Sequence, residues 1–106
     1  MILRIWHGYT TEENAKPYED LLKDEIFKGI ADKHIEGYRG IQLLKRKLDN
    51  GEFEFVTIMR FDNIDSVKEF MGEDYEVAYV LPEAQKFLKH FDKRSRHYEV
   101  LHEPGY

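Results

Sequence analysis

The pattern of apolar and polar positions begins with a strand. Residues Ile2 to Tyr9 alternate in polarity and are rich in β-branched and aromatic side chains, which is typical of β structure. A helical pattern follows, because apolar residues then recur at intervals of three, four and eight positions on one helix face: Tyr18, Leu21, Leu22 and Ile26. The chain therefore predicts a strand followed by an amphipathic helix.

The first helix has two possible starting points. Thr10 with Glu13 forms a capping box, but a helix beginning there would hold Pro17 in its interior, which costs about 3 kcal/mol. Asn14 as N-cap would instead place Pro17 in the first turn, where no backbone donor is needed. We therefore predict that the helix begins after Asn14.

A β-hairpin is the clearest local prediction. The second strand is expected at about Tyr38 to Leu48 and the third at Glu52 to Phe61, on either side of Asp49-Asn50-Gly51. An Asn-Gly pair favours a tight turn in which both central residues have positive φ. The third strand alternates between a side with four large apolar residues and a side that carries Val56 and Ile58.

The second half of the chain predicts two further helices and a strand. Asn63 or Asp65 can cap a short helix that ends near Gly72, whereas residues 73–81 show no clear pattern. Pro82 suits the first position of an amphipathic helix whose apolar face consists of Ala84, Phe87, Leu88 and Phe91. Alternation from Ser95 to His102 predicts the last strand.

The order β-α-β-β-α-β predicts an α+β, ferredoxin-like fold, in which a four-stranded antiparallel sheet carries its helices on one face. We expect one domain over residues 1–106. Both faces of the sheet are apolar, however, since Leu3 and Ile5 lie opposite in parity to Ile2 and Trp6. A second copy of the chain is the simplest cover for the helix-free face. The alternative is a monomer in which the 73–81 segment and the C-terminal tail shield it.

Composition narrows the function. The 106 residues have a formal net charge of −5 and a pI of about 5.5, which argues against nucleic acid as a partner. The absence of cysteine excludes disulfides and thiolate metal sites and fits a reducing compartment. No signal peptide or membrane span is apparent, so we expect a cytoplasmic protein without membrane association.

Several stretches resemble one known family. The string from Phe61 to Asp74, the opening Arg4-Ile5-Trp6-His7-Gly8 and the late His97-Tyr98-Glu99-Val100 resemble the antibiotic biosynthesis monooxygenases, which are dimeric α/β barrels. The resemblance implies a homodimer with sheets facing each other and a pocket between the sheet and helices of each subunit. It also implies a cofactor-independent oxygenase that acts on a small aromatic, phenol- or quinol-like compound.

Two departures from the family pattern affect the chemistry. Phe61 stands where the family commonly has tryptophan, so an indole donor is lost. The heme-degrading branch uses an asparagine near the position of His7 and an axial histidine after Gly72, but residues 74–81 contain no histidine. We therefore expect no heme and no other cofactor. No spacing typical of a metal site occurs either.

Six residues are the candidate site. His7 and His97 are the candidate catalytic bases, because histidine is the usual base near neutral pH. His7 is expected to project toward the helix-side pocket alongside Phe61. The candidate ligand-binding residues are Phe61, Tyr75, Tyr79 and Tyr98. His97 and Tyr98 are neighbours on a strand, so only one of them can face the pocket. For each residue the alternative is a purely structural role.

Three functions remain open on the sequence alone. The first is a cofactor-free oxygenase, the second is a non-catalytic barrel that binds a small apolar ligand, and the third is a protein-interaction module. A cavity with a titratable group near the ligand would favour the first. A purely apolar cavity would favour the second, and no cavity would favour the third.

Overall fold

The computed structural model describes residues 1–105, which form one antiparallel sheet with helices on one face. The elements in chain order are β1 (Ile2–Thr10), α1 (Glu12–Leu21), a π-helical turn (Leu22–Ile26), α2 (Phe27–Ala31), β2 (Tyr38–Lys47), β3 (Phe53–Phe61), α3 (Ile64–Met71), α4 (Pro82–Gln85), β4 (His90–Phe91) and β5 (Arg96–Glu99). No helix within residues 1–105 has the length and apolarity needed to cross a membrane.

The sheet has the strand order expected of a ferredoxin-like fold. β3 lies between β2 and β1, and both β4 and β5 pair with the outer edge of β1. The predicted α+β fold is therefore confirmed, with one difference. The last strand position is filled by two short strands, because residues 93–95 leave the edge of β1 to pair with residues 76–78.

The core lies between the sheet and the helices. Alternate residues of β3 point into it, and Phe55, Met59 and Phe61 are buried. The long helical segment contributes residues at successive four-residue steps: Tyr18, Leu22, Ile26 and Ile30. In an α-helix of 3.6 residues per turn, residues four apart move gradually around the helix and away from the core. The π-helical turn has more residues per turn, so it brings the later residues back toward the core-facing side.

The predicted start of α1 was wrong. Thr11 is the N-cap, and its hydroxyl accepts a hydrogen bond from the Asn14 N–H at 3.3 Å, so that Pro17 lies inside the helix. The preceding residue, Thr10, belongs to β1 and is fully buried, with its hydroxyl donating to the Phe87 carbonyl. Ala15 and Tyr18, on either side of Pro17, are both buried in the core, so tertiary packing favours a helix that runs through the proline despite its local cost.

The hairpin forms where it was predicted, but with a different turn. The loop has three residues, closed by the Leu48 N–H donating to the Glu52 carbonyl at 2.8 Å. Gly51 has φ +87°, whereas Asn50 does not have positive φ. Its side-chain oxygen instead accepts from the Glu52 N–H at 2.9 Å. This is the geometry of a type I turn followed by a left-handed glycine.

The helix predicted after Pro82 was also largely wrong. α4 has only four residues, and Phe91 lies in β4 opposite Gly8. The backbone beyond Gln85 bonds to the edge of β1, where the Lys89 N–H donates to the Tyr9 carbonyl at 2.7 Å. The open edge of β1 therefore takes the hydrogen bonds that a longer helix would have used internally.

Candidate functional site

A small cavity lies between the sheet and the helices. Its volume is about 40 Å³, and its walls come from every layer of the fold: Arg4, Trp6, Tyr18, Leu22, Ile26, Phe27, Ile30, Ile41, Thr57, Met59, Tyr79, Val80, Ala84 and Ser95. Pockets that hold drug-sized ligands measure about 300–1,000 Å³, so an aromatic ligand enters only if side chains move. The cavity is nevertheless predominantly apolar and aromatic.

Trp6 forms a fixed wall of this cavity. Its indole N–H donates to the Asp92 carbonyl at 2.8 Å, which joins β1 to the residues after β4. The ring lies over Gly8, where an added Cβ would stand only 2.3 Å from the indole. Gly8 therefore provides the flat backbone on which the indole rests, and any larger residue there would displace it.

Arg4 ties the irregular segment 73–81 to the sheet. The side chain is buried, and its guanidinium donates to the Tyr75 carbonyl, to the Val77 carbonyl at 2.7 Å and to His97 Nε2 at 3.1 Å. Burial lowers the pKa of Arg4 to about 10, although the nearby Glu76 carboxylate opposes this shift. Arg4 remains cationic at neutral pH and holds the segment beside the cavity.

His97 is neutral in this arrangement. Because the guanidinium can only donate, His97 Nε2 must accept, and the ring proton then lies on Nδ1. That atom is buried and has no hydrogen-bond partner within residues 1–105. Burial, followed by the positive charge of Arg4, lowers the pKa of His97 to about 4. Its one lone pair serves Arg4, so His97 acts on the site by orienting that guanidinium.

The lowered pKa of His97 predicts a pH-dependent stability. The unfolded imidazole, with a pKa of about 6.5, binds a proton more readily than the folded one. The contribution of neutral His97 to the free energy of unfolding is therefore complete above pH 6.5 and is lost as the pH falls toward 4. Solvent screens part of the effect at this half-buried residue, and we expect a loss of about 1–2 kcal/mol. Urea unfolding of the wild type and His97→Gln between pH 7.5 and 4 measures it.

The glutamine variant keeps an acceptor for Arg4 but does not titrate. Its stability should therefore fall less over this range than that of the wild type. His102→Gln, at an exposed position in the tail, is the matched control and should keep the wild-type profile. Parallel profiles for His97→Gln and the wild type would contradict the assignment of His97 as neutral.

The structure brings together only part of the predicted site. Tyr79 lines the cavity. Tyr75 and His97 do not line it, and the Tyr75 ring packs edge-on against His97 at a centroid distance of 5.1 Å. Phe61 is fully buried in the core between Tyr38 and Phe70 and does not line the cavity.

The predicted placement of His7 was wrong. In β1 the residues that face the helices are even-numbered, and His7 lies opposite Val56 on the helix-free face. Its Nδ1 is 3.4 Å from an Asp92 carboxylate oxygen, and its side chain is about one third exposed. Tyr98 pairs with Leu3 and lies on the same face. Neither residue reaches the cavity, so His7 cannot act there as a base.

Sequence reasoning missed Arg4, Trp6 and Tyr18 as site residues. Arg4 could have been recognised from the sequence. It alternates in phase with Ile2 and Trp6, so it places a charged side chain on an apolar face of the strand. Trp6 and Tyr18 appeared only as core residues, and nothing in their spacing distinguishes a cavity wall from a filled core. Within residues 1–105, no group of three or more acidic or histidine side chains is arranged to hold a metal ion.

The fold is α+β, with an antiparallel ferredoxin-like sheet and helices on one face. Two solved structures share it. A protein from Bacillus cereus superposes with a TM-score of 0.69 at 17% identity, covering 99% of this chain and 95% of that one. A protein from Deinococcus radiodurans superposes with a TM-score of 0.60 at 14% identity, covering 100% and 98%. Both are named "putative antibiotic biosynthesis monooxygenase".

At these identities the likeness establishes the fold, and it supports the resemblance that the sequence motifs indicated. No protein-family model and no curated protein matches the sequence. The chain therefore has the fold of the two neighbours over nearly its whole length, while its activity must be argued from its own residues.

Proposed function

We propose that this protein is a homodimeric, cofactor-independent oxygenase that acts on a small phenol- or quinol-like aromatic compound. The observation that carries the proposal is the aromatic-walled cavity between sheet and helices. A largely apolar cavity of this kind favours reaction of an electron-rich substrate anion with dioxygen, because the bound substrate displaces water and competing proton donors. Tyr79 and Trp6 would stack against the ring of the substrate.

The reaction requires no electrons from the protein. For an anthrone-like substrate, the methylene carbon loses two hydrogens and gains a carbonyl oxygen, so the substrate gives up four electrons. Dioxygen accepts them: one of its atoms becomes the new carbonyl oxygen and the other leaves as water. The protein has only to bind the substrate, stabilise its anion and exclude solvent.

The helix-free sheet face supports the homodimer. Leu3, Ile5, Val56 and Ile58 form a contiguous apolar centre, flanked by the exposed Leu44 and Tyr98: all six lie on the face away from the helices. Charged pairs border it, with Arg46 bonded to Glu54 at 2.7 Å and Arg60 near Glu103 at 3.3 Å. An apolar centre with a polar rim is the usual anatomy of an interface, and a twofold axis makes it self-complementary.

Dioxygen uptake with anthrone tests the activity. We expect uptake above the rate of autoxidation in buffer, with one anthraquinone formed for each dioxygen consumed. Val80→Phe, which fills the cavity from the irregular segment, should abolish the enzymatic part. Lys28→Ala, on the exposed side of α2, is the control and should retain it. Uptake equal to autoxidation with the wild type would refute the oxygenase.

One observation favours the alternative, a non-catalytic barrel that binds a small apolar ligand. The cavity wall has no carboxylate and no histidine, so a substrate bound there meets no ordinary general base. Binding of anthrone with saturation, accompanied by no dioxygen uptake, would identify this second function.

A further inference from the structure

Arg4 is a buried cation that has no carboxylate partner. Arg4 is 2% exposed. Among residues 1–105, Arg39, Arg46, Arg60 and Arg94 each pair with an acid, and Arg96, which pairs with none, is exposed to solvent. Of the arginines in this range, Arg4 alone is both buried and without an acid partner. Buried charges are expensive unless they are paired. Glu76 offsets the charge of Arg4 only at a distance, and no carboxylate bonds to the guanidinium, so its burial needs an explanation beyond packing.

The partners of Arg4 leave part of its guanidinium unused. Two backbone carbonyls and the neutral His97 ring accept three of its five N–H bonds, so two have no acceptor within residues 1–105. The one acid that acts on the charge of Arg4 is Glu76, whose carboxylate lies 3.4 Å from Arg94. All three accepting groups are uncharged, so no hydrogen-bond partner of Arg4 neutralises its guanidinium.

Arg4 is one of the residues that line the apolar cavity. The other ionisable groups on the cavity wall are the Tyr18 and Tyr79 hydroxyls. Burial raises the pKa of Tyr18, so its hydroxyl stays protonated and adds no negative charge. In surroundings of low dielectric constant, a fixed cation favours an anion far more than it would in water.

We propose that Arg4 binds the anionic oxygen of an aromatic ligand, so that the cavity selects a phenolate or enolate over its neutral acid. The inference rests on the proposed function and names the form of the substrate that the same site binds. It explains why the wall needs no general base: the proton is released to solvent when the anion enters, and Arg4 compensates the charge left behind. His97 and the carbonyls of Tyr75 and Val77 hold the guanidinium in place.

Binding of p-nitrophenol tests the inference directly, because its phenolate absorbs visible light and its phenol does not. We titrate the ligand across its own pKa with and without the wild-type protein. The expected result is that the phenolate binds at least tenfold more tightly than the phenol, which lowers the apparent pKa of the bound ligand. Equal or weaker binding of the phenolate, or no binding of either form, would overturn the proposal.

Variants separate the charge from the shape of the site. Arg4→Lys keeps the cation and should keep a preference for the phenolate, whereas Arg4→Gln should lose it. Arg39→Gln removes an exposed arginine that does not line this cavity and should behave as the wild type. The wild-type titration stands even if Arg4→Gln fails to fold.

The result is independent of turnover. p-Nitrophenol is too electron-poor to reduce dioxygen, so selective phenolate binding without anthrone-dependent uptake would support the anion site and refute the oxygenase. Anthrone-dependent uptake together with preferential binding of the neutral phenol would refute the anion site and leave the oxygenase standing.

Discussion

Ile58→Asp should convert the proposed homodimer into monomers. Ile58 lies opposite Ile5 at the centre of the helix-free face, and a twofold axis would bring two introduced carboxylates into one interface. Each copy loses about 1.5–3 kcal/mol of apolar burial and gains an unpaired charge. We expect the dimer to weaken by about 3 kcal/mol or more, roughly a hundredfold or greater increase in Kd, measured by sedimentation equilibrium.

The control for this experiment is Ile58→Val, which keeps an apolar surface and should remain dimeric. Val56→Asp is a second disrupting variant. Val56 is the next residue of β3 on the same face and lies opposite His7. Far-ultraviolet circular dichroism distinguishes a folded monomer from an unfolded chain. A folded Ile58→Asp protein that sediments with the mass and affinity of the wild type would show that this face is not the interface.

Met59→Ala should both destabilise the fold and enlarge the cavity. Met59 is 4% exposed and forms part of the cavity floor, so its removal deletes three buried side-chain atoms next to existing empty space. Substitutions of this kind cost about 2–5 kcal/mol, because the surroundings collapse only partly. Urea unfolding at neutral pH measures the loss.

The enlarged cavity should then accept a benzene-sized ligand. Indole at a hundred times its Kd would restore about 2.7 kcal/mol, since a ligand that binds only the folded state stabilises it by mass action. Met71→Ala, at the half-buried end of α3 and away from the cavity wall, should show a smaller loss and no rescue by indole. Equal unfolding midpoints for Met59→Ala and the wild type would refute a cavity at this position.

The local features of the chain could be predicted because their causes lie within a few residues. Asn63 caps α3 by accepting from the Ser66 N–H at 2.9 Å, and Gly72 ends the helix with φ +94°. The hairpin follows from alternating strands on either side of a turn sequence. In each case the residue responsible lies within a few positions of the turn or helix end that it shapes.

The site was harder to predict because its parts come from distant elements. Arg4 and His97 are 93 positions apart and meet only because β5 pairs with β1. His7 was assigned to the wrong face because both faces of the sheet are apolar. Alternation then separates the two sets of side chains but does not show which set meets the helices.

Periodicity and turn chemistry act over short distances, so the amino-acid sequence was enough to predict the α+β class, the order of the elements, the hairpin and the amphipathic character of the long helix. Packing of the whole chain was needed to place the helices over the side of β1 that bears Arg4 and Trp6. It was also needed to extend residues 90–91 along the β1 edge instead of continuing a helix. Those outcomes depend on which distant backbone and side-chain groups compete for the same partners, and such competition is resolved only when the whole chain packs.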